Sequence, residues 1–195
     1  MEQNSQTNME KINILEAQIR ECFGRVVYSH KTQEKCADFL FSLNKKLKLT
    51  QIILSAIITT SLFVEIFGDN KVTLYIAAVM STILLIFNTY LKNYNLGSMA
   101  QNHSNTANEL WNIRESYLSL LADINSTAIS TNQIINRRDE IQTELFRIYS
   151  STPRTDSKSY KKASKALKIN EELTFSDEEI DVFLPKELRK IKNKK

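Results

Sequence analysis

The stretch "LTQIILSAIITTSLFVEIFGDNKVTLYIAAVMSTILLIFNTYL", residues 49–91, consists of two apolar runs separated by the four residues "GDNK". The first run, 49–67, has 19 residues and one charged side chain, and the second, 72–91, has 20 residues and none. An α-helix needs about 20 apolar residues to cross the hydrocarbon core of a bilayer. Helices of soluble proteins have a polar face, whereas these runs are apolar all round. We therefore predict two transmembrane helices joined by a turn at 68–71.

The one charged residue of the two runs, Glu65, lies within the last turn of the first run. A carboxylate there can reach the membrane interface, whereas a charge at the centre of a span costs about 2.5–3.5 kcal/mol on insertion scales. The alternative interpretation is a hairpin that is buried inside a soluble helical bundle. The length and the uniform apolarity of both runs favour the membrane.

Lysines flank the two runs on their outer ends. Lys45, Lys46 and Lys48 precede the first run, and Lys92 follows the second. Because short flanks rich in lysine and arginine stay in the cytoplasm, we expect both termini to be cytoplasmic and the turn at 68–71 to lie outside. The four lysines are also expected to contact anionic lipid headgroups, at about 1 kcal/mol each.

An amphipathic cytoplasmic helix is predicted before the first span, over residues 9–48. Apolar residues recur there with heptad spacing, and Ser29 and Gln33 interrupt the seam. Polar seam positions usually specify register or partner, so we expect this interruption to be architectural. Cys22 and Cys36 lie about 21 Å apart along such a helix, too far for a disulfide, and we expect them to be small buried apolar residues.

A second long cytoplasmic helix is predicted over residues 92–150. Apolar residues continue there at helical spacing, and no strong helix breaker occurs before Pro153. We expect this helix to be loosened near Gly97 and at "NSTAISTNQ", residues 125–133. Since the membrane hairpin reverses the chain, the second helix is expected to run antiparallel to the first. Residues 151–195 are predicted to form a linker and a tail with short helices.

The predicted fold class is therefore all-α: a membrane protein whose two-helix transmembrane hairpin continues into a long antiparallel cytoplasmic stalk. Three glycines and two prolines in 195 residues are too few turn formers for an all-β or α/β plan. In the tail, Ser176 and Glu179 have the spacing of a capping box, which predicts the start of a helix. Pro185 suits the first turn of a last short helix.

Small and polar side chains recur at helical spacing within the spans. They are Gln51, Ser55, Thr59 and Glu65 in the first span and Thr73, Ala77, Ser81 and Asn88 in the second. One interpretation is a mildly polar pore lining in an oligomer, with Glu65 near one mouth and Asn88 near the other. The other is packing within the hairpin or a dimer, because small and hydroxylated residues let helices approach closely. The stripes alone favour packing.

Signals of catalysis are poor. Three glycines cannot form a phosphate-binding loop. His30, His103 and Cys36 lack the spacing of a metal site. The acidic residues at 139–144 lie three or four positions from arginines, which indicates solvated ion pairs rather than catalytic carboxylates. No enzyme activity, cofactor or metal is expected, and the basic segments are too nonspecific to predict direct binding of nucleic acid.

The order of parts resembles a known family. A long helix, two adjacent spans, "NTANELWNIRESYLSLLADI" at 105–124 and "EEIDVFLPKELRK" at 178–190 are similar to the SLATT domain family. Its members are two-transmembrane effectors found beside nucleotide second-messenger and related conflict systems in bacteria, and the branch coupled to reverse transcriptases is the most similar. The likeness covers residues 15–188 and rests on layout and on positions around Trp111, Arg114 and Tyr117.

The resemblance implies an effector that oligomerises, perforates or depolarises the bacterial inner membrane, and kills or arrests an infected cell. It also implies a partner defence protein, either a reverse transcriptase or a nucleotide second-messenger synthetase. Trp111, Arg114 and Tyr117 are expected to shape the stalk or a subunit contact.

Our leading hypothesis is a non-enzymatic pore formed by residues 49–91 of an anti-phage effector. The alternative is a membrane-anchored adaptor that recruits a neighbouring defence enzyme without forming a pore.

Overall fold

The computed structural model describes the backbone of residues 2–67 and 71–190, and the side chains of residues 8–64, 72–185 and 187–190. All regular structure in this part of the chain is helical, so the predicted all-α class is confirmed. The helices are α1 (Glu2–Phe67), α2 (Lys71–Asn93), α3 (Leu96–Asn125), α4 (Thr131–Ser151), α5 (Ser157–Lys168), α6 (Asp177–Phe183) and a closing 3₁₀ helix (Lys186–Leu188).

Helix α1 joins the predicted amphipathic helix and the first apolar run in one element of 66 residues. At 1.5 Å per residue it is about 100 Å long. Its first half buries the heptad seam, including Leu15, Ile19 and Val26. Cys22 and Cys36 are buried free thiols, as predicted. The heptad pattern therefore marks the face on which the rest of the fold is built.

Helix α3 runs antiparallel along the first half of α1, as predicted. Gln33 of α1 is hydrogen-bonded to His103 near the start of α3, and Leu15 shares a core with Ile124 at the end of α3. The core contains apolar side chains from α1, α3 and α4, namely Leu15, Ile19, Cys22, Val26, Leu110, Ile113, Tyr117, Leu120, Ile124, Ile134, Ile141 and Ile148. We call α3, α4 and the part of α1 that packs on them the bundle.

We predicted one helix over residues 92–150, but this prediction is wrong, because the structure interrupts the helix twice. The first lies at Asn95, between α2 and α3. The Asn95 side chain accepts a hydrogen bond from the Ser98 backbone N–H at 3.0 Å and so caps the new helix. Gly97 follows at a close approach to α1, since a Cβ at this position would lie 3.3 Å from Asn44 Nδ2. The expected loosening near Gly97 is thus a full helix boundary.

The second interruption reverses the chain over residues 126–130. Thr127 has φ 54°, a left-handed conformation that turns the chain sharply at a cost for a β-branched residue. Ser130 and Gln133 then form a capping box that starts α4. Because of this reversal the stalk is a three-helix bundle rather than a two-helix hairpin.

Helix α4 returns alongside α1 in the same direction. Polar contacts between the two helices advance in the same order along both: Thr131 to Asn8 at 3.0 Å, Arg138 to Gln18 at 3.0 Å, and Tyr149 to Ser29 at 2.8 Å. The acidic residues at 139–144 form ion pairs with neighbouring arginines, as predicted from their spacing.

Helix α5 packs on α1 beyond the end of α4. Tyr160 stacks on Tyr28 with ring centroids 5.8 Å apart, and Lys162 Nζ lies 5.5 Å from the centroid of Phe39. In the tail, α6 starts with the capping box predicted for Ser176. The helix predicted after Pro185 is a short 3₁₀ turn, and residues 191–195 lie outside the described residues.

The apolar runs leave most of their surface open. The most apolar 18-residue segment of α1 has a mean hydropathy of 1.7, and none of it is buried. The corresponding segment after Val72 has a mean hydropathy of 1.9, and 6 % of it is buried. A core helix of a soluble protein would be mostly buried, so a soluble hairpin would expose an extensive apolar surface to water. By length, composition and exposure, both helices suit a membrane.

Candidate functional site

The hydroxyl groups of the first span face away from its partner helix. Ser55 and Thr59 are exposed, and Gln51 at the end of the same stripe is half-buried. Ser55 Oγ donates to the Gln51 carbonyl and Thr59 Oγ1 donates to the Ser55 carbonyl, both at 2.9 Å. Each proton is held within the helix, so the hydroxyl oxygens present acceptor lone pairs outward.

The predicted stripe of the second span is divided between two environments. Ala77 is 4 % exposed and packs inside the hairpin, and Thr73 is half-buried. Ser81 and Asn88 are exposed. Packing within the hairpin therefore explains the small side chain at Ala77, but it does not explain the polar side chains at Ser81 and Asn88. The Glu65 side chain and the turn residues 68–70 lie outside the described residues.

The flanking lysines lie at one end of the hairpin. Lys45, Lys46 and Lys48 are exposed on α1, and Lys92 is exposed in the last turn of α2. Because α1 and α2 run in opposite directions, these four ammonium groups border the same boundary of the apolar surface. Their placement is suited to headgroup contact.

Trp111, Arg114 and Tyr117 on α3 do not form one surface patch. Trp111 is 50 % exposed, whereas Tyr117 is fully buried in the core. Burial and the neighbouring Cys22 thiol raise the pKa of Tyr117. Arg114 is partly buried and pairs with Glu115 at 2.7 Å. Tyr117 is thus closed to contact with another subunit, whereas Trp111 lies open on the surface and Arg114 is partly accessible.

The two polar seam positions hold separate elements together, which confirms their predicted architectural role. The Gln33 Oε1 is bonded to His103 Nδ1, and its Nε2 donates to the Pro153 carbonyl at 3.3 Å. Ser29 accepts a hydrogen bond from Tyr149. Gln33 therefore ties α1 to both α3 and the connection before α5.

The two histidines do not pair with each other. His103 contacts Gln33, while His30 Nε2 lies 3.7 Å from Glu34. Burial lowers the pKa of both histidines, so both are held neutral at pH 7. Cys36 Sγ instead lies 3.8 Å from an Asp156 carboxylate oxygen. In the part of the chain with described side chains, no three His, Cys, Asp or Glu residues are grouped to hold a metal ion.

An ion-pair cluster joins α1 to the chain after α5, and sequence reasoning missed it. Lys31 Nζ lies 2.9 Å from Glu172 and 2.8 Å from Glu34, and Lys35 Nζ lies 3.1 Å from Glu172. Burial opposes the charge on Lys31, but its hydrogen bonds to Glu34 and Glu172 outweigh burial and raise its pKa. No local pattern links residues so far apart in the sequence.

A comparison with known families agrees with this arrangement of helices. The model of SMODS and SLOG-associating 2TM effector domain family 4 (SLATT) matches residues 15–179, which is most of the chain. This chain belongs to the SLATT family. The match spans both apolar helices, the bundle and α5, and extends into α6, so the resemblance read from the sequence is confirmed. No curated protein and no solved structure matches the chain.

SLATT membership implies a membrane effector that acts in conflict systems. The two exposed apolar helices agree with the two-transmembrane description of the family. The association with reverse transcriptases stays a prediction, because the family match does not distinguish that branch.

The Glu172 ion pairs make the stability of this SLATT chain depend on pH in the acid range. Hydrogen bonds from Lys31 and Lys35 lower the pKa of Glu172 from 4.5 to about 2. Since the folded-state pKa is depressed, the carboxylate stabilises the fold above pH 4.5, and this contribution is lost as the pH falls towards 2. We expect hydrogen-exchange protection of α5 to fall across that window.

The matched variants are Glu172→Gln and Glu10→Gln. Glu172→Gln is expected to lower α5 protection already at neutral pH and to flatten its dependence below pH 4.5. Glu10→Gln, the same change of charge at an exposed position of α1, is expected to behave as the wild type. A Glu172→Gln profile that follows the wild type would contradict the proposed contribution.

Proposed function

We propose that this SLATT chain is a non-enzymatic, pore-forming effector of bacterial anti-phage defence. It acts as a homo-oligomer in the inner membrane, with both termini in the cytoplasm, and causes abortive infection by depolarising the cell. The observation that carries the proposal is the outward stripe of Ser55 and Thr59 on a span whose exposed surface is mainly apolar.

Two helices cannot enclose a lumen, so a pore needs several hairpins. In a single hairpin, Ser55 and Thr59 face lipid, where exposed polar groups gain nothing from the solvent. In an oligomer, the same stripe faces the stripes of neighbouring copies or a shared lumen. The apolar residues on the remaining faces, such as Ile52 and Phe63, then contact lipid.

The flanking lysines support the proposed orientation. Lys45, Lys46 and Lys48 precede the first span and Lys92 closes the second, and basic residues at a membrane boundary favour the cytoplasmic side. The bundle and the tail then lie in the cytoplasm, where a partner defence protein is accessible.

The test measures membrane potential in bacteria after induction of the full chain. Depolarisation reported by a voltage-sensitive dye, followed by growth arrest, is the expected result. Ile57→Asp serves as the control, because a charge at the centre of the span costs about 2.5–3.5 kcal/mol and opposes insertion. Unchanged potential and growth, with the wild-type chain assembled in the membrane, would contradict the proposal.

A second candidate is a membrane-anchored adaptor, which the exposed apolar tail favours. Phe175, Val182 and Phe183 are 66 %, 71 % and 82 % exposed, and they could engage a neighbouring reverse transcriptase or nucleotide second-messenger synthetase. An adaptor recruits its enzyme at unchanged membrane potential, so the dye measurement separates the two functions.

A further inference from the structure

A groove crosses the bundle where α1, α3 and the chain around α5 meet. Its walls include Phe23 and Val27 of α1, Leu118 of α3 and Leu173 after α5, and its volume is about 420 Å³. Pockets of about 300–1,000 Å³ with mostly apolar walls and a few polar groups are typical binding sites. Because Arg114 also lines it, we call this feature the Arg114 groove.

A glycine in the middle of α1 forms part of the groove wall. Gly24 has helical geometry, and outside its own helical turns no atom of the described residues lies within 4 Å of the position that a Cβ would occupy. Glycine in a helix interior is destabilising by roughly 0.5–1 kcal/mol relative to alanine. No contact with the described part of the chain requires its small size, and a segment lying in the groove can approach the helix backbone closely here.

Cationic groups lie at one side of the Arg114 groove. The Arg114 guanidinium uses Nε and Nη2 to bind Glu115, whereas its buried Nη1 has no acceptor among the described residues. Lys168 also lines the groove and is exposed. A buried guanidinium nitrogen without an acceptor is costly, so a carboxylate in the groove would supply the missing hydrogen bond once the Arg114 side chain turns towards it. The groove thus suits an occupant that is both apolar and acidic.

The chain itself contains such a segment directly after the groove. Residues 175–184, "FSDEEIDVFL", combine four carboxylates with exposed apolar side chains, and we call them the tail segment. Phe183 is 82 % exposed and Phe175 is 66 % exposed. Within the single chain, these rings are left open to solvent.

We propose that the tail segment of one copy occupies the Arg114 groove of a second copy of this chain. The apolar rings fill the groove against its walls, and the exposed Glu178 carboxylate faces Arg114 and Lys168. A one-way contact of this kind is head-to-tail and builds a ring when its rotation closes, whereas a reciprocal exchange of tails gives a closed pair. The proposal rests on the proposed function, because it names the contact through which the effector assembles.

The first experiment uses full-length chains in detergent and measures assembly mass. Gly24→Trp fills the groove, and Phe183→Ser removes an apolar ring from the tail segment. Each variant alone is expected to raise the apparent dissociation constant of self-assembly at least about thirtyfold, as loss of an interface hot spot does. Mixed together, they are expected to form pairs, because one supplies an intact tail and the other an intact groove.

Matched controls separate this contact from misfolding. Gly24→Ala leaves most of the groove open, and Phe146→Ser makes the same change at another phenylalanine, 75 % exposed on α4. Both are expected to assemble as the wild type, and all variants are expected to keep their helical circular dichroism. A wild-type chain that stays monomeric, a Gly24→Trp or Phe183→Ser chain that assembles normally, or a mixture without pairs overturns the proposal.

A charge reversal provides a second test on exposed residues, which do not endanger the fold. Lys168→Glu and Glu178→Lys are each expected to weaken assembly, and the double variant is expected to recover it. A double variant no better than either single one contradicts the proposed contact. Recruitment of a foreign protein by the tail segment, with no self-assembly, also overturns it.

The same samples distinguish failure of this contact from failure of the pore. Assembly that depends on Gly24 and Phe183, without depolarisation in cells, contradicts the pore and leaves the contact intact. Depolarisation that Gly24→Trp and Phe183→Ser leave unchanged contradicts the contact and leaves the pore intact.

Discussion

Replacing both Ser55 and Thr59 by leucine is expected to reduce ion conductance at least about tenfold while the chain still inserts and assembles. The reason is the outward stripe, where the two hydroxyl protons are bound to the helix backbone and the oxygens face away from the hairpin. Burying a neutral polar group without a partner costs roughly 1–3 kcal/mol in proteins, and an ion beside apolar groups costs more. A barrier higher by 1.36 kcal/mol already slows passage about tenfold.

The measurement is single-channel or macroscopic current in planar bilayers. Since the lining presents acceptor oxygens, we also expect a preference for cations over anions, which the reversal potential in a salt gradient reports. If the chain is an adaptor, the wild type and the Ser55→Leu, Thr59→Leu double variant recruit the partner equally well. The double variant therefore separates the two candidate functions.

The first span offers a closely matched control. Thr60 and Ser61 also donate to carbonyls four residues earlier at 2.9 Å, but they lie on other faces of α1. Thr60→Leu with Ser61→Leu removes the same number of hydroxyls about one helical turn further along the span and is expected to leave the current unchanged. Equal losses in both double variants would show that the Ser55 stripe is not a lining.

Replacing Tyr117 by alanine is expected to lower the free energy of unfolding of the bundle by about 3–5 kcal/mol. Tyr117 is fully buried between α1 and α3, and it belongs to the core that also contains Leu110 and Ile113. Truncating a buried aromatic ring removes its transfer free energy and leaves a cavity that the packed helices cannot close. Thermal or denaturant unfolding followed by circular dichroism measures the change.

The phenylalanine variant isolates the ring from its hydroxyl. The Tyr117 hydroxyl is buried without a hydrogen bond among the described residues, although the Cys22 thiol lies close to it. Removing a polar group that lacks a good partner is nearly neutral or stabilising. Tyr117→Phe is therefore expected to unfold at the same denaturant concentration as the wild type or slightly higher. A loss as large as that of Tyr117→Ala would assign the stability to the hydroxyl instead.

The sequence predicted the parts of this fold that depend on local periodicity. The apolar runs, the heptad of α1 and the Ser176 capping box each repeat or pair over a few residues, and the structure has all three. Gln33 was recognisable as architectural because it interrupts an otherwise apolar seam.

The features that the sequence did not predict depend on conformation or distance. The turn at 126–130 uses a left-handed Thr127, which β-branched residues rarely adopt, so no turn signal marked a full reversal. The pairing of Lys31 with Glu172 joins distant segments and has no sequence pattern. The Arg114 groove likewise takes its walls from three helices, and only their packing reveals it.

The continuity of α1 has a mechanical consequence. This helix passes from the bundle into the first span without a proline or a break, and sharp bends in helices almost always need such a feature. A torque applied to the bundle therefore turns the Ser55 stripe about the helix axis by nearly the same angle. The connection from α3 to the second span is interrupted at Asn95, so α2 need not turn with the bundle. A rotation of the bundle can therefore turn the first membrane helix relative to the second.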